Sequence, residues 1–301
     1  MKLGFAIYKL ILMKQLNLFI ELTRLKKPIG YMLLFWPCAW GLTLAYDFSN
    51  DLNKYFFYLT LFFFGSILMR SAGCIVNDIW DKEFDKRVSR TKNRPIASGK
   101  VSIELGLFYV VFLCLLALLV LLNFNTFTIA MALGSMPLAF IYPVMKRFTY
   151  WPQLFLGITF NYGLILGWIC IKNQLDIIPI ILYVGAIFWT LGFDTIYGFQ
   201  DIKDDEIIGI KSTSIKFKQN PKLFLLLCYL TLISSLLTLG FFMNFNFLFY
   251  IFLLFVIFHL LFFQIYKLDF KNPKNCFKIF KSNNSIGLII LINILIGKII
   301  I

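Results

Sequence analysis

Charge is scarce in this sequence. Only 15% of its 301 residues are Asp, Glu, Lys or Arg, against about a quarter in soluble domains, and that excludes an ordinary soluble fold. Acidic residues are the rarer sign, 15 against 29 basic ones. There is one histidine, His259, inside the apolar run Val256 to Leu260, where packing with a helix-to-helix hydrogen bond fits better than catalysis. The six cysteines (Cys38, Cys74, Cys114, Cys170, Cys228 and Cys276) form no Cys-x-x-Cys pair and read as buried packing thiols. No linker divides the chain, so residues 1–301 read as one domain. The stretch Met1 to Leu22 lacks a small-residue cleavage site and carries Lys9 and Lys14 within its apolar run. It reads as an interfacial helix in a cytoplasmic or interfacial segment, residues 1–29, rather than as a cleaved signal.

What the chain has instead is apolar length. It is 60% hydrophobic, with mean hydropathy +0.81. A spanning helix needs roughly 17–25 apolar residues, and nine runs qualify: Gly30–Tyr46, Tyr55–Val76, Leu105–Leu122, Phe124–Met145, Trp151–Ile171, Ile177–Gly198, Leu223–Phe241, Phe247–Tyr266 and Ile286–Ile301. The last is short. The reading is an all-α, multi-pass membrane bundle. With loops assigned alternately to the two sides, one side takes the N-terminal tail and the loops after spans two, four, six and eight, and holds 25 of the 29 basic residues. The positive-inside rule puts that side in the cytoplasm or its topological equivalent. The positive charge is thus a topology signal and does not argue for nucleic-acid binding. The absence of an Arg- and Ser-rich leader favours a bacterial inner membrane over a mitochondrial one.

The few acids are concentrated. Asn77 to Asp85 follows span two and Asp194 to Asp205 closes span six; with Glu206 directly after, these stretches hold nine of the fifteen acidic residues. Four spans separate them, so both lie at the cytoplasmic face. If each span continues helically, Asn77, Asp81 and Asp85 share a face at i, i+4 and i+8, as do Asp201 and Asp205, with Asp194 two turns before Asp201 and Tyr197 between. Massed carboxylates need a cation. Hard oxygen ligands open to water suit Mg²⁺, which takes a few carboxylates and completes its shell with phosphate. Cations flank both clusters: Lys86, Arg87, Arg90, Lys92, Arg94 and Lys100 after the first, Lys211 after the second, Lys146 and Arg147 after span four. Arg70 lies inside span two, about two turns before Asn77, and an arginine at that depth marks a site. Acids that bind metal beside bases that bind phosphate suit a diphosphate substrate. Each cluster follows a span and precedes a basic loop, a weak internal echo of two four-helix halves around a central site.

At these residues the chain resembles the UbiA superfamily of intramembrane aromatic prenyltransferases. The first motif of that superfamily, Asn-Asp-x-x-Asp-x-x-x-Asp, is matched by Asn77, Asp78, Asp81 and Asp85, and the second, Asp-x-x-Tyr-x-x-x-Asp-x-x-x-Asp, by Asp194, Tyr197, Asp201 and Asp205. Lys27-Pro28-Ile29-Gly30, Asn93-Arg94-Pro95, Ser98-Gly99, Gly209 to Thr213 and Asn283-Asn284 extend the likeness over essentially the whole chain. Tyr142-Pro143, Met145-Lys146-Arg147, Tyr150 to Gln153 and Phe160-Asn161 look like the branch that prenylates 4-hydroxybenzoate; Tyr162 stands where that branch often has Trp.

The resemblance implies about nine helices around a central cavity open to the cytoplasmic side, with a lateral portal for a lipid tail and a place in ubiquinone synthesis. It implies Mg²⁺ held by Asn77, Asp78, Asp81, Asp85, Asp201 and Asp205. The substrates would be a polyprenyl diphosphate from the membrane and 4-hydroxybenzoate, joined by electrophilic aromatic substitution. Arg94, Lys146, Arg147, Lys211 and Asn161 would bind substrate, and Arg70, Asp194 and Tyr197 would be catalytic. Asp194 is the candidate to orient or deprotonate the phenol, and Arg147 the candidate for either the diphosphate or the carboxylate of the acceptor. Two alternatives stand beside this: the same fold prenylating a haem or another aromatic acceptor, and a cation-coupled transporter, which needs acids and symmetry but no ring of bases beside them.

Overall fold

A computed structural model describes the backbone of residues 2–299 and the side chains of residues 13–298. Among the described residues every regular element is helical. Helix α1 (Lys2–Thr23) precedes α2 (Ile29–Ala45) and α3 (Leu52–Trp80). After the single turn α4 (Lys82–Asp85) come α5 (Ile103–Leu121), α6 (Thr126–Ile141) and a 3₁₀ segment, Tyr142–Arg147. The second half runs α7 (Pro152–Lys172), α8 (Ile177–Gly198), the short α9 (Ile202–Ile208) and α10 (Thr213–Lys216), then α11 (Pro221–Phe242) and α12 (Phe247–Phe258). A π-helical stretch, His259–Tyr266, extends α12, and α13 (Pro273–Ile299) closes the chain. Among the described residues eight helical segments are long and apolar enough to cross a membrane, α6 counted with its 3₁₀ segment and α12 with its π-helical stretch; α2, at 17 residues, is the shorter ninth. The predicted count of about nine is met.

Helix starts are written in the sequence. Asp51, Ser102, Asn125, Asp176 and Asn246 each accept a backbone N–H two or three residues on, satisfying donors that a helix N-terminus leaves open. The last helix departs from expectation. It begins at Pro273, not near Ile286, because Asn272 Oδ1 accepts from the N–H of Lys274 (3.0 Å) and Asn275 (3.2 Å) and Pro273 fits the first helical position. The residues that read as a loop are therefore between three and four turns of helix standing beyond the apolar run.

Helix α2 is the central post, buried from Leu33 to Ala45 apart from Leu34. It meets α7 backbone to backbone. A Cβ at Gly41 would lie 1.9 Å from the Leu164 carbonyl oxygen, and one at Gly167 would lie 2.4 Å from that of Cys38. Close approach through small residues is how membrane helices gain packing without a hydrophobic driving force between them. Helix α13 is bonded twice to α2 and once to α8: Trp36 Nε1 donates to Asn284 Oδ1 (2.9 Å), Trp40 Nε1 to the Gly287 carbonyl (2.9 Å), and Trp189 Nε1 to Asn283 Oδ1 (2.8 Å). Asn283 Oδ1 also accepts from Gln264 Nε2 at 2.7 Å, and Gln264 Oε1 accepts from the Tyr229 hydroxyl at 2.6 Å. In hydrocarbon such a network has no water to fall back on. Asn283→Ala strands the Trp189 and Gln264 donors. At about 1–3 kcal/mol for each stranded group, the variant is expected to unfold at clearly lower temperature in detergent, followed by circular dichroism.

His259 packs as expected, but by its ring: it lies 5.3 Å from Phe263, and its Nδ1 makes no hydrogen bond.

Candidate functional site

The helix carrying the first motif does not run straight through it. Helix α3 ends at Trp80, Asp81 takes φ −94°, ψ 4°, and α4 resumes at Lys82. The second motif repeats this: α8 ends at Gly198, Asp201 takes φ −115°, ψ 8°, and α9 follows. Past each corner i→i+4 bonding resumes, since Asp85 N–H donates to the Asp81 carbonyl (2.7 Å) and Asp205 N–H to that of Asp201 (2.9 Å); before the second corner the chain tightens, Asp201 N–H donating to the Gly198 carbonyl at 3.3 Å. The sequence expectation of one continuous helical face thus gives way to two matched elbows, each with an Asp at its corner. That corner conformation, in the sparsely populated region near ψ 0°, recurs at functional sites.

The elbows face one another across a set of cations. Arg24 Nη2 donates to Asp78 Oδ1 at 2.5 Å. Arg94 Nη1 bridges Asp78 Oδ1 (3.1 Å) and Asp85 Oδ2 (2.8 Å). Lys146 pairs with Asp81. Arg90, from the loop after the first motif, pairs with Asp201 of the second and donates to the Tyr197 hydroxyl at 2.7 Å. The two motifs therefore share one site at one end of the bundle. Asp78, Asp81 and Asp85 are buried, and Asp201 and Asp205 are half-buried. Burial holds the Asp81 and Asp201 carboxyls above the usual carboxylate range, against the opposing pull of Lys146 and Arg90. Asp205, which makes no ion pair among the described residues, is pushed up by burial and by the Asp201 charge to about 6.

Below this polar mouth lies a greasy cavity of about 230 Å³. It follows α3 from Gly73 back to Leu61, about 18 Å at 1.5 Å per residue, and is walled by Cys38, Ser66, Met69, Leu118, Ala132, Ser135, Ala139, Phe160 and Tyr162. Phe62 and Phe124, with ring centroids 4.9 Å apart, stand at its far end. Arg70 and Tyr142 stand at the mouth end. Helix α5 packs on α3 and α6 on α7, while these two consecutive helices barely touch each other, so the wall between them is thin on the lipid side. Arg70 makes no hydrogen bond or ion pair among the described residues; its guanidinium lies over the Phe160 ring at 5.2 Å, and it supplies the charge that acts on Asp194.

The sequence model of the UbiA prenyltransferase family matches residues 34–287. This chain belongs to the UbiA prenyltransferase family. The mitochondrial 4-hydroxybenzoate polyprenyltransferase of Bos taurus is 43% identical over 286 residues, 95% of this chain and 76% of that protein. The 4-hydroxybenzoate geranyltransferase 2 of Lithospermum erythrorhizon is 41% identical over 95% of this chain and 92% of its own length. Among solved structures, an apo UbiA homolog from Aeropyrum pernix K1 superposes with a TM-score of 0.71 at 20% identity, covering 90% of this chain and 98% of that one. A UbiA homolog from Archaeoglobus fulgidus bound to GPP and Mg²⁺ gives 0.68 at 16% identity, covering 93% of this chain and 99% of its own. These two establish the fold.

Within this UbiA-family bundle, the expected residues fall into groups. Asp78, Asp85 and Arg94 share one ion-pair cluster with Arg24, Asp81 pairs with Lys146, and Asp201 and Tyr197 share Arg90, three sets at the same end of the bundle. Asp205 is tied to them by the charges of Asp201 and Lys146, and Asn77 by its backbone bond to Asp81. Arg70 and Asp194 lie deeper, with Arg70 on the cavity wall. Lys211 braces the rim: its N–H donates to the Lys146 carbonyl at 2.9 Å and its Nζ to the Phe148 carbonyl at 3.2 Å. Arg147 is folded outward. Its Nη2 donates to the Trp80 carbonyl at 2.5 Å and its guanidinium lies 5.2 Å from the Phe84 ring. Asn161 is fully buried and off the cavity wall; its amide donates to the Gly157 and Ala186 carbonyls and to Thr190 Oγ1, at 2.7–3.0 Å, and so locks α7 to α8. Two residues at the site were missed as site residues, Arg24 and Arg90. Arg24 follows α1 with φ +56°, a strained conformation for a residue with a Cβ. Arg90 read as one of many loop cations, and its reach across to Tyr197 and Asp201 is a property of the tertiary fold.

Among the described residues, no three acidic, His or Cys side chains already form a metal cage. The donors nonetheless fit a hard cation. Among the described residues Asp81 Oδ1 is buried with no hydrogen-bond partner, and Asp205 feels Lys146 and Arg90 but makes no direct ion pair. A buried carboxylate oxygen with nothing to accept from is costly unless a ligand claims it.

Proposed function

We propose that this protein transfers a polyprenyl group from a polyprenyl diphosphate to the ring carbon ortho to the hydroxyl of 4-hydroxybenzoate, with Mg²⁺, in ubiquinone synthesis. One observation carries the reading: two acidic elbows and their cations meet at the mouth of an apolar cavity, so that a charged head and a greasy tail are accommodated side by side. The relatives' names favour 4-hydroxybenzoate as acceptor. The basic loops favour the acidic face lying on the cytoplasmic side of a bacterial inner membrane or its topological equivalent.

In this reading Asn77, Asp78, Asp81, Asp85, Asp201 and Asp205 are the residues that hold Mg²⁺, which withdraws charge from the departing diphosphate when bound. Arg70, Arg94 and Lys146 hold the diphosphate oxygens and oppose the charge that builds as the allylic C–O bond breaks. The faces of Phe160 and Tyr142 line the path of the allylic cation and exclude water. The ring carbon attacks the cation, the C–C bond forms, and the ring proton leaves to a base. Asp194, held beside the charge of Arg70, is the group we assign to orient the phenol or take that proton. Arg147, turning inward, and Lys211 at the rim are the cations left to meet the acceptor's carboxylate.

The test is in vitro transfer to 4-hydroxybenzoate from donors of increasing length, with and without Mg²⁺. Product that forms only with both substrates and a divalent metal supports the reading; solute movement without consumption of donor sinks it. A pH prediction follows from Asp205. Below about 6 its carboxyl is protonated, and the proton must leave before a metal binds. Metal affinity is therefore expected to rise with pH through that value and level off above it, as measured by Mn²⁺ titration.

A further inference from the structure

Arg90 sits on the turn-rich connection between α4 and α5 and reaches over the mouth of the site. Its Nη1 donates to the Tyr197 hydroxyl at 2.7 Å, its Nη2 pairs with Asp201, and its guanidinium lies 5.1 Å from the Tyr197 ring centre. One side chain from the loop after the first motif thus occupies two groups of the second. The first motif is filled in the same manner, with Arg24 and Arg94 on Asp78, Arg94 on Asp85 and Lys146 on Asp81. Those pairs are deep: their basic side chains are 22–24% exposed and their carboxylates at most 9%. The Arg90–Asp201 pair is 40% and 16% exposed, more open on both sides than any of these. It is the pair that water and screening weaken most, and the one whose basic member can leave with least disturbance to packing.

A divalent cation arriving alone at Asp201 must expel this guanidinium into solvent. One arriving with a diphosphate offers the guanidinium a new anion in bidentate reach. We infer that Arg90 is a movable counter-ion, held on Asp201 and Tyr197 in the donor-free protein and passed to the diphosphate when metal takes Asp201, so that metal and donor are taken up together. The inference deepens the proposed function and rests on Asp201 being a metal ligand.

The experiment measures Mn²⁺ binding by electron paramagnetic resonance to the full-length protein in nanodiscs, with and without inorganic pyrophosphate. Wild type is expected to bind Mn²⁺ weakly alone and about tenfold or more tightly with pyrophosphate, within the usual span of coupling between sites. R90Q should bind Mn²⁺ alone about tenfold more tightly than wild type and gain less from pyrophosphate. R90K, which keeps the charge, should retain most of the wild-type pattern. A gain in metal affinity is a change that mere structural damage does not produce. An R90Q protein whose Mn²⁺ affinity without pyrophosphate equals or falls below that of wild type overturns the inference, as does one that loses its helical circular dichroism, which makes Arg90 a structural residue. Asp201→Asn separates the two readings. If it binds Mn²⁺ as wild type does in both arms, the metal reading of Asp201 itself fails; if it loses Mn²⁺ while R90Q matches wild type, only the counter-ion role fails.

Discussion

Asp81→Asn is expected to lower metal-dependent prenyl transfer by at least about 10²–10³-fold, the scale on which one preorganised charge-stabilising group is lost from an active site, while the protein remains inserted and helical. The reasoning starts from the elbow. Asp81 is the corner residue between α3 and α4, its Oδ2 is taken by Lys146, and its Oδ1 is buried without a partner. Asparagine preserves the shape of the side chain and the backbone bonds that Asp81 makes to Asn77 and Asp85, so the bend survives. What changes is charge: Lys146 loses its counter-ion and the orphaned oxygen loses its pull on a hard cation. Asp201→Asn, at the corner of the second motif and in the same backbone region near ψ 0°, is expected to act alike, because it too is a carboxylate at the bend paired to a single cation, Arg90. The control is Asp204→Asn, one residue from Asp205 and outside the ion-pair network; it should retain transfer within a few-fold. Full activity in both corner variants would remove the metal site from the account.

Much of this was legible in the sequence because membrane folds are written in long signals. Nine apolar runs correspond, among the described residues, to eight helices long enough to span and a shorter ninth, since a lipid environment forces every spanning segment to satisfy its own backbone. The bias of lysine and arginine placed both acidic stretches on one face, and the ion pair from Arg90 to Asp201 shows them meeting there. Two things were less legible, for different reasons. The bend at Asp81 follows no Pro or Gly, and the one Gly before Asp201, Gly198, sits at the end of an apolar run that an i, i+4 reading carried straight on; both bends are local departures set with tertiary contacts. The reach of Arg24 and Arg90 depends on which loop the fold lays over the site, and a cation in a basic loop carries no mark that distinguishes a site residue from a topology signal. Asn161 errs in the other direction. Its motif context suggested the substrate, yet it lies off the cavity wall and its amide N–H groups are taken up in the seam between α7 and α8, leaving only its buried Oδ1 without a partner among the described residues.

The cavity yields the last test, and it is graded along an axis. Helix α6 presents Ala139 near the mouth and Ala132 deeper on the same wall, seven residues and about 10 Å apart along the helix. Little of α6 is buried in the bundle, so a larger side chain there displaces cavity space rather than core packing. Ala132→Trp is expected to spare short donors such as the dimethylallyl and geranyl diphosphates and to raise KM for long polyprenyl donors. The size follows from area: a tail denied about 100 Å² of apolar contact loses about 2.5 kcal/mol at 25 cal/mol per Å², close to a 10²-fold weakening. Ala139→Trp, at the mouth, should impair donors of every length. Mn²⁺ and pyrophosphate binding should stay unchanged in both variants, because neither alanine touches the acidic elbows. If Ala132→Trp weakens short and long donors equally, the tail does not lie along α3 toward Phe62 and Phe124, and the 230 Å³ space serves some other purpose. If long donors alone are lost, head and tail are bound by separate parts of one site: charge at the elbows fixes the diphosphate, and the apolar wall between α3 and α6 decides how much tail the enzyme holds before the remainder passes between α5 and α6 into lipid.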